Sequence, residues 1–222
     1  MLKRTLPASF PSNGWSYIGC YLDNVSQRVL SEASCFDDKA MTGEACVDFC
    51  GEQGYTIAGV GYGRECYCGF EFLLKTTAKA ADCNMACSGD SAQACGGPNR
   101  LSAFTNGAPG PVANLGVNSF VFKGCWSDSV QARTLSHTVR TQGDSGGLSI
   151  AACTSACKGQ GFIYSGVEYG RECWCGAALN SIAQSIPGGP VISGCDFVCT
   201  GNASEFCGGA NRLSLYQFDD RI

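Results

Sequence analysis

The chain has 222 residues, and its 15 basic and 19 acidic side chains give a formal net charge of −4. It has no run of Lys and Arg, so no nucleic-acid partner is expected, and no apolar run near the roughly 20 residues that span a bilayer. The 17 cysteines accompany a single histidine, His137, and no pair of CxxC motifs. We therefore expect a disulfide scaffold from an oxidising compartment, hence a secreted or cell-surface protein, with no metal site and no cofactor.

An eleven-residue segment occurs twice. Residues 59–69 and 166–176 are identical at nine of eleven positions, and one difference exchanges Tyr67 for another aromatic, Trp174. Such a repeat indicates one module used twice. The sequence predicts the following divisions: a flexible lead-in over 1–16, a first module over 17–104, a Pro/Gly linker over 105–118, a second module over 119–218 and a tail over 219–222.

Each module is predicted to begin with an edge strand, followed by a helix. The strand carries a Gly-Cys-aromatic-x-Asp motif at residues 19–23, repeated at 124–128. Thr42 can cap the first helix and Gly54 can close it in the left-handed conformation. Ser149 and Gly161 take these places in the second module. Two cysteines one turn apart, as in Cys46-x3-Cys50, would then face the sheet.

Two strands are predicted after each helix. In the first module, aromatic and β-branched residues indicate a strand over 55–60, and the repeated segment supplies the next one. Regular alternation puts Cys66 and Cys68 on the core face and Tyr67 on the outer face beside Glu65. Tyr62 and Arg64 would share the cysteine face unless the neighbouring glycines form a bulge that reverses them.

Sixteen cysteines fall into two matching sets of eight. Five of the seven spacings agree between the sets, which predicts four disulfides in each module without deciding among the 105 connectivities that eight cysteines allow. The paired cysteines are predicted to be Cys20, Cys46, Cys50, Cys66, Cys68, Cys83, Cys87, Cys95, Cys125, Cys153, Cys157, Cys173, Cys175, Cys195, Cys199 and Cys207. Cys35, aligned with Arg140, is left unpaired, either as a buried thiol or as an intermolecular link.

The repeated aromatic and polar residues suit a carbohydrate site. Aromatic rings cover the apolar faces of sugars, and a few polar groups beside them bond to hydroxyls. The candidate binding residues are Tyr62, Arg64, Glu65, Tyr67, Asn99, Arg100, Tyr169, Arg171, Glu172, Trp174, Asn211 and Arg212. The alternative for the aromatics and charges is a structural role in packing and ion pairing, and for Asn99 and Arg100 a role in a turn.

Catalysis is not expected. Residues 143–147, Gly-Asp-Ser-Gly-Gly, match the nucleophile segment of trypsin-like proteases, but a serine nucleophile needs a base and an orienting acid. The single histidine lies eight residues before Ser145, and the segment has no counterpart in the first module. Glu65 and Glu172 could supply half of a glycosidase pair, with Asp23 and Asp128 as the repeated acids nearby, but two active copies would be unusual. We interpret the chain as a binding protein.

These motifs strongly resemble the WSC domain, the cell-wall-integrity and stress-response-component module. The resemblance rests on Gly19-Cys20-Tyr21, Cys46-x3-Cys50, residues 63–69, Cys95-Gly96-Gly97 and Asn99-Arg100-Leu101, with a second set beginning at Gly124. It implies an α+β fold similar to PAN/Apple modules, in which a helix packs on a small twisted antiparallel sheet. It also implies binding of wall polysaccharides, chiefly β-1,3-glucan, with xylan or chitin for some members, and no catalysis by the module itself.

The resulting hypothesis is a secreted, lectin-like protein that binds a cell-wall polysaccharide through two modules acting by avidity. Two alternatives remain open. The modules could self-associate through exposed aromatics, as in sensor clustering, or they could target a larger carbohydrate-active enzyme.

Overall fold

The computed structural model describes residues 9–10, 14–141 and 143–221, without the side chains of Ser9, Phe10 and Asp144. Most of the predicted lead-in lies outside the described residues. The chain divides into two compact units, Met1–Gly110 and Pro111–Ile222, here called module 1 and module 2. Each is α+β and rich in disulfides, which confirms the predicted fold class.

Module 1 is one antiparallel sheet with a helix on it. The sheet has the strand order β1-β2-β6-β4-β5-β3. Its elements are β1 (Ser9–Phe10), β2 (Trp15–Leu22), β3 (Ala33–Phe36), α1 (Gly43–Glu52), β4 (Ile57–Gly61), β5 (Glu65–Gly69) and β6 (Arg100–Thr105), with a 3-10 turn at Ala80–Asp82. The entry strand β2 is not the edge strand that the sequence predicts, because β1 pairs with its outer side.

Module 2 repeats this plan with additions. Its sheet follows β12-β8-β15-β10-β11-β9, with β7 also paired to β8, and β13 and β14 form a separate pair. The elements are β7 (Gly116–Val117), β8 (Phe120–Ser127), β9 (His137–Thr138), α2 (Ile150–Gly159), β10 (Tyr164–Glu168), β11 (Glu172–Gly176), β12 (Ser185–Ile186), α3 (Pro190–Ser193), β13 (Val198–Cys199), β14 (Asn202–Phe206) and β15 (Arg212–Phe218), with a 3-10 turn at Asp144–Gly146. The residues before β8 bond into this module, since the Val112 N–H donates to Ser204 O at 3.1 Å.

The helix caps are those the sequence predicts. The Thr42 hydroxyl accepts from the Ala45 N–H and Ser149 from the Ala152 N–H, each at 3.1 Å. Gly54 and Gly161 follow the helices with φ of +83° and +79°. A side-chain acceptor satisfies one of the free N–H groups at each helix start.

Eight disulfides close the two modules. In each module two of them join the helix to the strand of the repeated segment, so the helix is fixed across the sheet. The pairs are Cys20–Cys83, Cys46–Cys66, Cys50–Cys68, Cys87–Cys95, Cys125–Cys195, Cys153–Cys173, Cys157–Cys175 and Cys199–Cys207. Cys35 is a free, half-buried thiol.

Both faces of each sheet are covered. Between helix and sheet lies a core rich in cystines, with Val47, Val60 and Phe104 in module 1. On the opposite face a smaller cluster contains Leu30 and Leu101 in module 1, with Leu135, Leu213 and Leu215 in module 2. No helix in the described part of the chain has the length and apolar character needed to cross a membrane.

Candidate functional site

The residues between β4 and β5 form a tight turn instead of a continuous strand. The Arg64 N–H donates to Gly61 O at 3.1 Å, and the two central residues, Tyr62 and Gly63, have φ of +48° and +76°. Two positive φ values are the mark of a type I′ hairpin turn. Only glycine fits the second position, because a Cβ on Gly63 would lie 2.6 Å from Ala86 O. This turn, and no bulge, decides where Tyr62 and Arg64 point.

The turn holds an exposed aromatic in both modules. Tyr62 is 48% exposed and its counterpart Tyr169, at φ +58°, is 44% exposed. The guanidinium of Arg64 lies 5.8 Å from the Tyr62 ring centre, and that of Arg171 lies 5.9 Å from the Tyr169 ring centre. A tyrosine at positive φ is strained by about 1 kcal/mol where Asn or Gly would not be. Local folding therefore does not explain why both turns carry this ring.

Tyr67 and Trp174 do not face solvent as the sequence predicts. They do lie on the sheet face opposite the buried cysteines, but the Leu30–Leu101 cluster covers that face in module 1 and the Leu135–Leu213 cluster covers it in module 2. Both rings are consequently half-buried. The expectation fails because it assumed a sheet with one covered face.

An arginine that sequence reasoning missed stacks on each of these rings. The Arg28 guanidinium lies 4.4 Å from the Tyr67 ring centre, and that of Arg133 lies 4.3 Å from the Trp174 ring centre. Each arginine also donates to a buried aspartate. Arg28 donates to Asp23, and Arg133 donates to Asp128, the latter at 2.5 Å. The signal was present in the sequence, because both modules place Arg five residues after the aspartate of the entry motif.

The glutamates of the repeated segment bond to the same rings. The Tyr67 hydroxyl donates to Glu65 Oε2 at 3.0 Å, and the Trp174 indole N–H donates to Glu172 Oε2 at 3.2 Å. Burial, and next the hydrogen bond to Glu65, raise the pKa of Tyr67 to about 12. Ring, glutamate and arginine thus form one group of mutual contacts in each module, with Arg28 3.2 Å from Glu65 and Arg133 3.8 Å from Glu172.

The remaining predicted residues lie at the tail turn. Asn99 is exposed at φ +55°, and the Arg100 side chain donates to Asn99 O and pairs with Asp82 at 3.4 Å. In module 2 the Arg212 side chain donates to Asn211 O and to Ser193 O. These arginines hold their turns together, which is the structural role that the sequence left open for them.

Two depressions in module 1 share Arg64 and Glu65. A pocket of about 240 Å³ brings Tyr62, Asn99 and Arg100 together with these two residues. A groove of about 660 Å³ runs beside the edge strand β3 and is lined by Tyr67, Arg64 and Glu65 with the following further residues: Ser34, Cys35, Phe36 and Asp38. The predicted site residues of module 1 are therefore contiguous but divide between two adjoining hollows.

Module 2 has a groove in the corresponding place, beside its edge strand β9. Its volume is about 540 Å³, and its lining includes Trp174, Glu172 and Arg171 from the predicted set, with Arg133 and Arg140 in addition. Ser145 of the protease-like segment also lines it, whereas the His137 ring stacks on Phe162 at 4.8 Å. Within the described residues, no hydrogen bond joins His137 and Ser145, so the segment does not form a catalytic pair.

A buried glutamate distinguishes module 2. Glu168 occupies the position of Gly61, the second difference between the repeated segments, and is 1% exposed. Arg133 donates to Glu168 Oε2 at 2.6 Å, and Arg133 Nη2 lies 3.8 Å from Glu172 Oε2. With Asp128, three carboxylates surround one guanidinium. Burial, and next the proximity of Asp128, raise the pKa of Glu168 to about 8.

Glu168 should make the stability of module 2 fall with rising pH. Its folded pKa of about 8 exceeds its ordinary value of 4.5, so the folded state retains a proton that the unfolded state releases. This stabilisation is complete below about pH 4.5 and is lost as the pH rises through about 8. Glu168→Gln should flatten that dependence and exceed the wild type in stability above pH 8. Hydrogen exchange across a pH series, read separately for peptides of each module, would contradict this if both proteins lost protection in parallel.

Cys35 lies opposite Cys66 in the β3–β5 pairing. In module 2 the Val139 N–H donates to Cys173 O at 3.0 Å in the same register, so the counterpart of Cys35 is Val139, and the alignment of Cys35 with Arg140 is wrong by one residue. The segment between Arg133 and β9 is one residue shorter than that between Arg28 and β3, which shifts the register by one. Burial, and next the charge of Asp37, raise the pKa of the Cys35 thiol, which keeps it protonated and weakly reactive.

Comparison with known proteins gives a consistent picture. The WSC domain profile matches the chain at residues 17–97 and 122–209. A WSC domain-containing protein of Arthroderma benhamiae is 34% identical over 94% of this chain, which spans only 23% of that protein. A Chaetomium globosum protein, named "Putative fungistatic metabolite", is 33% identical over 98% of this chain and 97% of its own length. The xylosyltransferase oxt of Drosophila pseudoobscura pseudoobscura is 34% identical over 46% of this chain and 12% of its own length.

Proposed function

Because the chain belongs to the WSC domain family, we propose that it is a secreted carbohydrate-binding protein that recognises a polysaccharide of the cell wall. The family is generally carbohydrate-binding and associated with cell walls. We propose β-1,3-glucan as the preferred polymer, with xylan and chitin as the alternatives. Eight disulfides fit the oxidising compartment that this proposal requires.

The observation that carries the proposal is the strained, half-exposed tyrosine on both β-turns. Each ring has an arginine close by, with the guanidinium 5.8 Å from the Tyr62 ring centre and 5.9 Å from that of Tyr169. A glutamate follows each tyrosine by three residues, Glu65 in module 1 and Glu172 in module 2. An apolar ring face next to charged hydrogen-bonding groups is the arrangement that sugar recognition uses. Tyr67 and Trp174 form the walls of the adjoining grooves in this proposal, with one face of each ring occupied by arginine.

Two sites on one chain favour a repetitive ligand. A polymer that reaches both modules converts the second contact into an intramolecular one, which raises the apparent affinity without new contacts. The site involves no catalytic step in this proposal. The partial similarity to a xylosyltransferase supports the alternative that such modules accompany a catalytic domain in a longer chain.

Removing both turn rings should weaken binding to β-1,3-glucan. Tyr62→Asn/Tyr169→Asn deletes the aromatic faces, while asparagine tolerates positive φ, so the thermal midpoint should stay the same or rise slightly. At about 0.5–1.5 kcal/mol for each ring, the loss should be roughly fivefold or more in a pulldown with insoluble glucan, xylan and chitin. The matched control is Leu74→Asn/Ile182→Asn, which removes one exposed apolar side chain from each module, 59% and 65% exposed, away from the grooves.

Binding by the tyrosine variant that equals the wild type would place the site elsewhere, and retention of the wild type on none of the polymers would end the proposal. Self-association is the second candidate, and Phe36 favours it, since this side chain is 75% exposed on the edge strand β3. Reversible growth in mass with concentration, without sugar, would identify that function in sedimentation.

A further inference from the structure

The grooves of the two modules carry opposite charge. Among the described residues, the groove of module 2 is lined by three arginines, Arg133, Arg140 and Arg171, and one acid, Glu172. The corresponding groove of module 1 is lined by one arginine, Arg64, and two acids, Asp38 and Glu65. A net positive groove is unexpected in a chain with a net charge of −4.

The strand register shows how the difference arises. Since Val139 corresponds to Cys35, Arg140 stands where module 1 has Phe36, and Thr141 stands where it has Asp37. The aromatic and acidic corner of module 1 is therefore a basic and polar corner in module 2.

Within the described residues, the turn arginine of module 2 lacks the ion pair that its counterpart in module 1 forms. In module 1, Arg64 pairs with Asp38 at 2.6 Å. Arg171 holds the equivalent turn position in module 2, and its contact is the Tyr169 ring. Over residues 9–10, 14–141 and 143–221, neither Arg140 nor Arg171 forms an ion pair, and both are exposed.

The third arginine is already neutralised. Arg133 donates to Asp128 and to Glu168 and lies near Glu172. Its charge is therefore paired within the module and is not counted as a binding group for a ligand. Arg140 and Arg171 are then two guanidinium groups with no ion-pair partner among the described residues, on a groove that contains Trp174. Guanidinium groups bind carboxylate, sulfate and phosphate oxygens through paired N–H donors.

We propose that the groove of module 2 also binds an anionic polysaccharide, with Arg140 and Arg171 contacting its acidic groups. This rests on the proposed carbohydrate function and refines it, because module 2 then accepts acidic as well as neutral sugars of a mixed wall, beside the Tyr169 turn. A glycan fits better than an acidic peptide, since the groove adjoins the Tyr169 turn and presents the Thr138 side chain and the Glu172 carboxylate to hydroxyls.

The test measures retention of the intact chain on matched charged and neutral polymers at low salt. Polygalacturonate should bind, and its methyl ester, with the same backbone uncharged, should bind weakly. Added salt should reduce the difference, because exposed charges are screened. Arg140→Gln/Arg171→Gln should lose about tenfold in affinity for polygalacturonate, because two exposed charge contacts of modest strength are removed. Lys123→Gln/Arg221→Gln removes two exposed charges of module 2 outside the groove and is expected to bind as the wild type does.

The arms of the experiment separate the outcomes. Retention on dextran sulfate, but neither on dextran nor on polygalacturonate, would assign the acidic group to a sulfate ester and keep the anionic groove. Equal retention on polyglutamate would overturn the choice of a glycan. If the arginine variant binds polygalacturonate as the wild type does, or if the ester binds equally, the inference fails. It fails alone when neutral β-glucan is still retained, and together with the proposed function when no polysaccharide is retained.

Discussion

Replacing Cys46 and Cys66 together by alanine is expected to leave module 1 largely unfolded at physiological temperature while module 2 stays folded. The bridge joins α1 to β5 across 20 residues of sequence, and closing a loop of that length is worth about 3 kcal/mol in the unfolded state. Both cysteines are fully buried in the core cluster, so alanine also leaves unfilled space there. A module of about 100 residues has little stability beyond this to lose.

Hydrogen exchange resolved by peptide is the suitable measurement, because it reports protection in each module separately. Cys35→Ala is the matched control, since it removes a sulfur from the same sheet without opening a bridge, and it should cost less than about 1 kcal/mol. If the double variant keeps wild-type protection over α1 and β5, the apolar contacts suffice, and the claim that cross-links hold this small module together is wrong.

Arg133→Ala should destabilise module 2 by about 3–5 kcal/mol, the cost of leaving buried charge without its partner. The side chains of Asp128 and Glu168, which bond to Arg133, are 1% and 2% exposed. The variant also loses the stacking of Arg133 on Trp174. Because protonation of Glu168, whose folded pKa is about 8, relieves the unpaired charge, the deficit should shrink from about pH 9 towards about pH 6, as measured by denaturant unfolding.

Two matched variants sharpen this result. Arg133→Ala/Glu168→Gln should recover part of the loss, since one of the stranded carboxylates is gone. Arg28→Ala in module 1 should cost less, because its carboxylates are only Asp23 and the more exposed Glu65. A deficit for Arg133→Ala that is the same at both pH values would show that packing, and not charge, is what Arg133 contributes.

Local chemistry could be predicted from the sequence. A hydroxyl before a helix, a glycine after it and two cysteines one turn apart depend only on neighbouring residues, and Thr42, Gly54 and Cys46 lie as expected. The placement of Cys66 and Cys68 towards the helix is also confirmed, because they form disulfides with Cys46 and Cys50 of α1.

Long-range packing could not be predicted. Whether Tyr67 is exposed depends on Leu30, about forty residues earlier in the chain, and nothing in the local pattern indicates that this loop covers the sheet. The ion pair of Arg64 depends in the same way on Asp38, 26 residues earlier in the chain. For this reason Tyr67→Ala/Trp174→Ala, the substitution suggested by alternation alone, would disturb packing as well as any sugar contact.

Each of the eight bridges begins and ends within its own module. Oxidative folding of one module can therefore be completed without any cysteine of the other module. A gene for such a protein can gain or lose whole modules without leaving half of a disulfide unpaired, so the number of modules can vary independently of their fold.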